Sequence, residues 1–288
     1  MRLNQLLQRG DFLLSIEVFP PKTSAGDEAL FENLSNLMKY RPSFVSCTYG
    51  AGGSTRDRTI DLCRTISRNY EIPTTAHLTC VGSTKADLRE TLAALQAAGV
   101  KNIMALRGDP PQGSTEFKPV EGGLTYASEL VSLIKSEFPE LGIGIAAYPE
   151  MHPEATCAKD DLNHFITKAN SGADAAFTQL FFVNDNYFKF VKQCRELGLE
   201  LPIIPGIMPI TEYARIKRIT ALCKAVFPEE LASQLEAVQD DTQAQFDIGV
   251  KYAIQQCQQL IDQGVPGIHF YALNKSHACE RILDELKM

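Results

Sequence analysis

The sequence predicts an α/β fold, a (β/α)8 TIM barrel formed as a single domain over residues 1–288, and three observations predict it. Eight short apolar runs recur along the chain: LLSIEVF (13–19), FVSCTYG (44–50), TTAHLTC (74–80), NIMALRG (102–108), GIGIAAY (142–148), AAFTQLFF (175–182), IIPGIMP (203–209) and GIHFYAL (267–273). The stretches between them carry helical periodicity, so the chain reads as strand–helix repeated eight times. Nearly every run ends in a polar or charged residue followed by Gly, Pro or a turn. Parallel strands joined by helices close most often as this barrel, and its chemistry sits at the carboxyl ends of the strands.

The elements justify themselves in order. LNQLLQRG (3–10) reads as an extra short amphipathic helix ahead of the first strand. RDRTIDLCRTISR (56–68) places Ile60, Cys63 and Ile66 near one stripe with the arginines outward. In STKADLRETLAALQAAG (83–99), Thr84 and Asp87 have capping-box spacing, Leu88, Leu92 and Leu95 share a face, and Gly99 is placed to end the helix. PPQGSTEFKPVEGGL (110–124) is a long Gly/Pro-rich loop of the functional kind. Residues 228–264 exceed one connection, and predict an extra short helix before the long helix that leads into the last strand. The strands are expected to be apolar on both faces, one packed on helices and one filling the barrel.

Bulk properties restrict the function. The 288 residues are 44% hydrophobic and 22% charged, as in an ordinary soluble protein, and the net charge of −7 argues against a nucleic-acid partner. No apolar run reaches membrane-spanning length and the first ten residues hold no signal-peptide core, so a cytoplasmic protein without a membrane partner is expected. The eight cysteines are scattered without CxxC spacing or a nearby histidine, which fits packed, reduced thiols and no metal.

The strand ends supply candidate chemistry. Glu17 lies inside an apolar strand, where burial should raise its pKa and suit it to general-acid work; pairing with a basic group across the mouth is the other reading. Arg107-Gly108-Asp109 closes the fourth run with a guanidinium and a carboxylate around a glycine. His77 gains weight only from its neighbours. Tyr148 to Glu154 gathers an aromatic, two carboxylates and an imidazole, and Gln179 is an amide that needs a partner. GAGGS (50–54) matches neither GxGxxG nor GxxxxGK[ST], so it does not support a Rossmann or P-loop site. His269, Tyr271, Asn274 and Lys275 complete the rim.

Taken together these strand ends resemble the methylenetetrahydrofolate reductase family. The matching segments are the Glu17 strand with its Phe-Pro-Pro ending, VSCTYGAGG (45–53), AHLTC (76–80), ALRGDPP (105–111), YAS (126–128), AAYPEMHPEA (146–155), DLNHFITKANSGAD (161–174), TQLFF (178–182), IPGIMP (204–209) and HFYALNKS (269–276). Their order and spacing resemble the short, bacterial form. The resemblance implies a flavoprotein oxidoreductase that makes 5-methyltetrahydrofolate, feeds methionine synthesis, and works by a ping-pong exchange through FAD with NADH or NADPH as donor. It implies that Thr48, Tyr49, Ala51, His77, Arg107, Gly108 and Asp109 surround the isoalloxazine and ribityl parts. Tyr126, Ala127, Tyr148, His152 and Ala155 would continue along the cofactor, with Asp161, His164 and Lys168 at its adenosine and phosphate end. Glu17 would be the general acid, Asp109 the anion that tunes the flavin, and Gln179 a partner of the pterin. Arg215 and Lys275, which stand where Gln and Arg are usual, would lie at the folate and nicotinamide site, as would Ile219 in place of Phe. Thr167 stands where an Arg is usual near the FAD diphosphate. A homo-oligomer is expected.

Methylenetetrahydrofolate opens to an iminium cation once a ring nitrogen is protonated. The reaction therefore asks for one acid in a dry pocket and one fixed anion. A glycosidase reading of Glu17 and Glu150 is opposed by the absence of tryptophan. A pterin-binding barrel that transfers a methyl group would be colourless.

Overall fold

In a computed structural model the described residues are 1–49, 56–110 and 116–288. The chain starts with helix α1 (Leu3–Gln8), then alternates β1 (Leu13–Val18), α2 (Ser24–Met38), β2 (Phe44–Cys47), α3 (Arg56–Tyr70), β3 (Thr74–Thr79), α4 (Lys85–Ala97) and β4 (Asn102–Leu106). It continues through α5 (Ala127–Glu137), β5 (Gly142–Ala147), α6 (Ala158–Asn170), β6 (Ala175–Thr178) and α7 (Asn184–Glu196). The last part holds β7 (Ile203–Ile204), β8 (Gly206–Ile207), α8 (Tyr213–Cys223), α9 (Glu229–Glu236), α10 (Thr242–Asp262), β9 (Gly267–Tyr271) and α11 (His277–Glu285). The extra helices expected at the amino terminus and before the last strand are α1 and α9.

Among the described residues the pairings between these strands are parallel, and they run β7-β6-β5-β4-β3-β2-β1-β9-β8. β7 and β8 are halves of one barrel strand, parted at Pro205, which has no N–H for a ladder. The first half pairs with β6 and the second with β9, so the ring closes. His269 N donates to Pro205 O at 2.9 Å across the join.

Local signals in the sequence work as read. The Thr84 side chain accepts from Asp87 N at 3.2 Å while Asp87 Oδ2 accepts from Thr84 N at 2.9 Å, which closes the capping box at the start of α4. Gly99, at φ +88°, ends that helix. Ile60, Cys63 and Ile66 of α3 are buried against the barrel wall. The 175–182 run is strand only to Thr178. Beyond it the chain turns outward, and Phe181 O and Phe182 O accept from Gln256 and Tyr252 of α10.

The expectation of two apolar faces fails on the inside. Outward residues such as Ile16, Val45, Leu78 and Ile103 join the helices in one apolar layer. Inward, only the amino-terminal end is apolar: Leu3 and Leu6 of α1 plug it against Leu13, Phe44, Met104, Phe177 and Ile204. Above that plug, Ser15, Ser46, Thr75, His77 and His269 are buried polar residues. Barrel interiors filled in this way are dry at the base and chemically active at the rim.

Candidate active site

Strand register puts Glu17 beside Ser46 of β2 and Tyr271 of β9, at the carboxyl end of the barrel. Its Oε2 lies 3.2 Å from His77 Nε2 and 3.4 Å from His269 Nε2. His269 is held from its far side by Ser15, whereas Ser46 shares the same His77 nitrogen with the carboxylate. Ser46 Oγ is 2.9 Å from His77 Nε2, and Ser15 Oγ is 2.8 Å from His269 Nδ1. His269 is almost fully buried, and its ring packs at 5.2 Å from Phe177 and 5.2 Å from Tyr271.

This arrangement corrects the expected pKa of Glu17. Burial is the largest single influence and pushes the carboxyl up, but the charges and hydrogen bonds of His77 and His269 together outweigh it. The net result is a carboxyl lowered to about 2. Glu17 is therefore an anion bracketed by two imidazoles, the cross-mouth pairing that the sequence left open. The Tyr271 hydroxyl, which donates to Thr178 O at 2.6 Å, is pushed well up by burial and by the Glu17 charge.

On the next sector of the mouth, Arg107 forms a two-pronged pair with Glu154 at 2.6 and 2.7 Å, not with Asp109. That pair raises Arg107 and lowers Glu154. Gly108 adopts φ +88°, and a Cβ there would come within 3.0 Å of Thr79 Cβ and Val81 Cγ1. Only glycine lets the backbone run this close to β3. Asp109 is exposed at the rim, and its charge is felt by both Arg107 and Tyr148.

Tyr148 stands edge-on to His152, ring centroids 4.6 Å apart, and burial is the main cause raising its hydroxyl to about 12. His152 Nδ1 accepts from Glu154 N at 3.1 Å, and burial followed by the Arg107 charge lowers this imidazole. It is thus neutral, with Nε2–H free to donate. Its backbone N donates to Asp161 Oδ2 at 3.0 Å, which ties the loop to the first turn of α6. Lys168 on α6 donates from Nζ to Ala146 O at 2.7 Å, and burial lowers it to about 8.

The other expected residues fall into place around these. Thr48 accepts on its carbonyl from Thr59 Oγ1, and Tyr49 is half-buried beside it. Tyr126 is the exposed residue before α5 and Ala127 its buried first residue. Ala155 N donates to His152 O. Gln179 Oε1 accepts from Leu180 N, which leaves its amide nitrogen available. His164 is exposed, and Thr167 Oγ1 donates back to Asn163 O within its own helix. Arg215 and Lys275 line one cavity with Tyr271. Ala51 lies outside the described residues.

Sequence reasoning missed Ser15 and Ser46, and it noted Glu154 without its pairing to Arg107. A serine in an apolar strand has no local mark of function, and Glu154 is distinguished only by a guanidinium 47 residues away. Among the described residues no group of His, Cys, Asp and Glu is placed to hold a metal, and all eight cysteines are free.

A closed barrel with a buried carboxylate–imidazole cluster at the centre of its mouth and a basic, aromatic flank defines an enzyme of the (β/α)8 class with its chemistry at the carboxyl ends. The family model described as methylenetetrahydrofolate reductase matches residues 2–287. The Escherichia coli protein named 5,10-methylenetetrahydrofolate reductase is 36% identical over 95% of this chain and 91% of its own length. The Arabidopsis thaliana protein named methylenetetrahydrofolate reductase (NADH) 1 is 37% identical over 99% of this chain, which spans 50% of that longer relative. The chain belongs to the methylenetetrahydrofolate reductase family. Its fold is also that of a Clostridium thermocellum protein described as binding two copies of 5-methyl-5,6,7,8-tetrahydrofolic acid, with a TM-score of 0.65 at 16% identity over 99% of both chains.

Proposed function

We propose that this chain reduces 5,10-methylenetetrahydrofolate to 5-methyltetrahydrofolate, with FAD held at the barrel mouth and NADH or NADPH as the electron donor in a ping-pong exchange. The observation that carries this reading is the Glu17 carboxylate set between His77 and His269, a buried cluster that can hold and move one proton.

The chain's own residues fit a flat, anionic cofactor. The Gly108 backbone runs close against β3 at the mouth, and the Thr79 hydroxyl there is buried with no partner among the described residues. Lys168 and Arg107 supply positive charge, His152 a neutral donor, and Tyr148 an aromatic edge. Thr48, Tyr49, His77, Gly108 and Asp109 would hold the ring end, and Tyr126, Ala127, Ala155, Asp161 and His164 the rest. When bound, reduced flavin supplies a hydride.

The proton follows from the cluster. At rest Glu17 is an anion, so it must be loaded with a proton before it can act as an acid. A folate in the mouth displaces water and brings its bridging ring nitrogen toward Glu17. As the folate excludes water and the carboxyl's pKa rises with desolvation, Glu17 takes up a proton from solvent and passes it to that nitrogen, the ring opens, and a cation develops on the substrate. Asp109, exposed at the rim, stabilises that cation, and the Gln179 amide orients the pterin. Ser15, on Nδ1, keeps His269 aimed at Oε2, and Ser46 shares His77 Nε2 with the carboxylate.

The test is spectroscopic first and kinetic second. The purified protein, with FAD added back if it is lost, shows a flavin absorbance that bleaches with NADH or NADPH and returns on adding methylenetetrahydrofolate. A protein that takes up no flavin, or whose bleached flavin the folate does not reoxidise, overturns the reading.

A further inference from the structure

Thr178, the last residue of β6, makes a bond that a regular sheet would not give it. β6 pairs with β7 through Ala176 and Phe177, opposite Ile203 and Ile204, and Ala176 N donates to Pro202 O. The next rung of that parallel ladder would bring Gly206 N to Thr178 O. Instead Gly206 N donates to the Thr178 hydroxyl oxygen at 2.8 Å, and the Thr178 carbonyl accepts from the Tyr271 hydroxyl at 2.6 Å. A phenol from β9 thus stands where a main-chain donor belongs, across the split barrel strand.

The surroundings fit this phenol closely. A Cβ on Gly206 would lie 2.7 Å from Tyr271 Cε2 and 2.8 Å from its Oη, and would overlap Thr178 O. Glycine in a strand interior marks such a close approach. The ring packs against the apolar cluster of Leu180, Phe182 and Ile210 on one side and lies 5.2 Å from His269 on another. Thr178 O belongs to the peptide group that opens Gln179, and the N–H of that same group donates to Ala147 O at 2.7 Å. The peptide is therefore clasped at both ends. One bond further on, Gln179 Oε1 accepts from Leu180 N at 2.8 Å, which leaves the amide nitrogen to donate. With the peptide plane and Oε1 both fixed, the place of that nitrogen is fixed as well.

We propose that Tyr271 is a positioning residue for folate reduction: its phenol, standing in for a ladder N–H, holds the 178–179 peptide so that the Gln179 amide meets the pterin. This deepens the function proposed above and rests on it. Orientation is what such a clasp supplies, since a small misplacement of a substrate-holding group lowers the rate without removing any contact outright.

The test is a double-mutant cycle in the flavin-loaded full chain: Tyr271→Phe, Gln179→Ala and the two together. Its readout is kcat/KM for methylenetetrahydrofolate, followed as reoxidation of the reduced flavin. Tyr271→Phe is expected to lower this value about tenfold in the parent. In the Gln179→Ala chain the same change should move it by less than about twofold, because the group it positions is gone. Tyr187→Phe is the control, since that phenol also donates at 2.7 Å to a barrel-strand carbonyl, Ile203 O, away from the mouth. It should lower the melting temperature and leave folate reoxidation within about twofold of the parent. Thr178→Val frees Gly206 N to take the carbonyl in place of the phenol, and should reproduce the folate loss even if Tyr271→Phe does not fold. Losses that multiply in the double variant, an equal loss in Tyr187→Phe, or a Thr178→Val chain that works at the parent rate overturns the positioning role. A parent whose flavin the folate never reoxidises sinks the reductase reading instead, so the two failures are told apart.

Discussion

Oε2 of Glu17 and Nε2 of His269 face one another at 3.4 Å although 252 residues separate them in the chain. With His77 completing the bracket, the carboxylate is fixed as an anion, and its role depends on neighbours rather than on burial alone.

Glu17→Gln keeps the side chain's shape and removes its capacity to relay a proton. Methylenetetrahydrofolate reduction is expected to fall by about 10³-fold, the scale of a lost general acid. Oxidation of the nicotinamide with a quinone acceptor should persist. Rapid-mixing measurements of the two half-reactions check this, and normal folate turnover would remove Glu17 from the mechanism.

His269→Asn tests the electrostatics. The folded carboxyl of Glu17 lies below its unfolded value, so its contribution to stability is complete above that value and drains away as pH falls to about 2. Taking away one imidazole leaves burial less opposed and raises the carboxyl. Thermal melts across acidic pH should then show the variant losing less stability than the parent on acidification, with the loss levelling off at a higher pH.

Gly108→Ala places a Cβ about 3.0 Å from Thr79 and Val81 on a backbone already left-handed. Gly99→Ala is the control, since it shares φ +88° but meets nothing within 4 Å. The Gly108 variant should lose about 1–3 kcal/mol beyond the control in denaturant unfolding, from overpacking rather than from backbone conformation. Equal losses would show that the notch is loose.

Lys168 holds its ammonium against burial, which lowers it from 10.5 to about 8. Between these values the unfolded chain binds the extra proton, so this group makes the flavin-free protein more stable as pH rises through that window. Lys168→Met should flatten that rise and weaken FAD binding by about tenfold or more. Melting curves against pH and a flavin titration measure the two effects.

Much of this molecule was legible from local pattern. Eight apolar runs, the Thr84–Asp87 box and the Gly99 stop are set by residues within a turn or two of one another. The box and the stop appear as read and every run contributes strand, although the 175–182 run does so only to Thr178 and the 203–209 run in two halves. The carboxyl-end rule then pointed to Glu17, Arg107, Tyr148 and Gln179 as rim residues. Pro205 was visible in the sequence, but its splitting of one barrel strand between two partners depended on which neighbours the ring supplied.

The sequence by itself determined the barrel, because hydrophobic period and turn chemistry act over short separations. Tertiary structure alone decided the protonation of Glu17 and the capture of Arg107 by Glu154. Each of these is a balance of charges brought together from distant parts of the chain, and no spacing along the sequence encodes its sign.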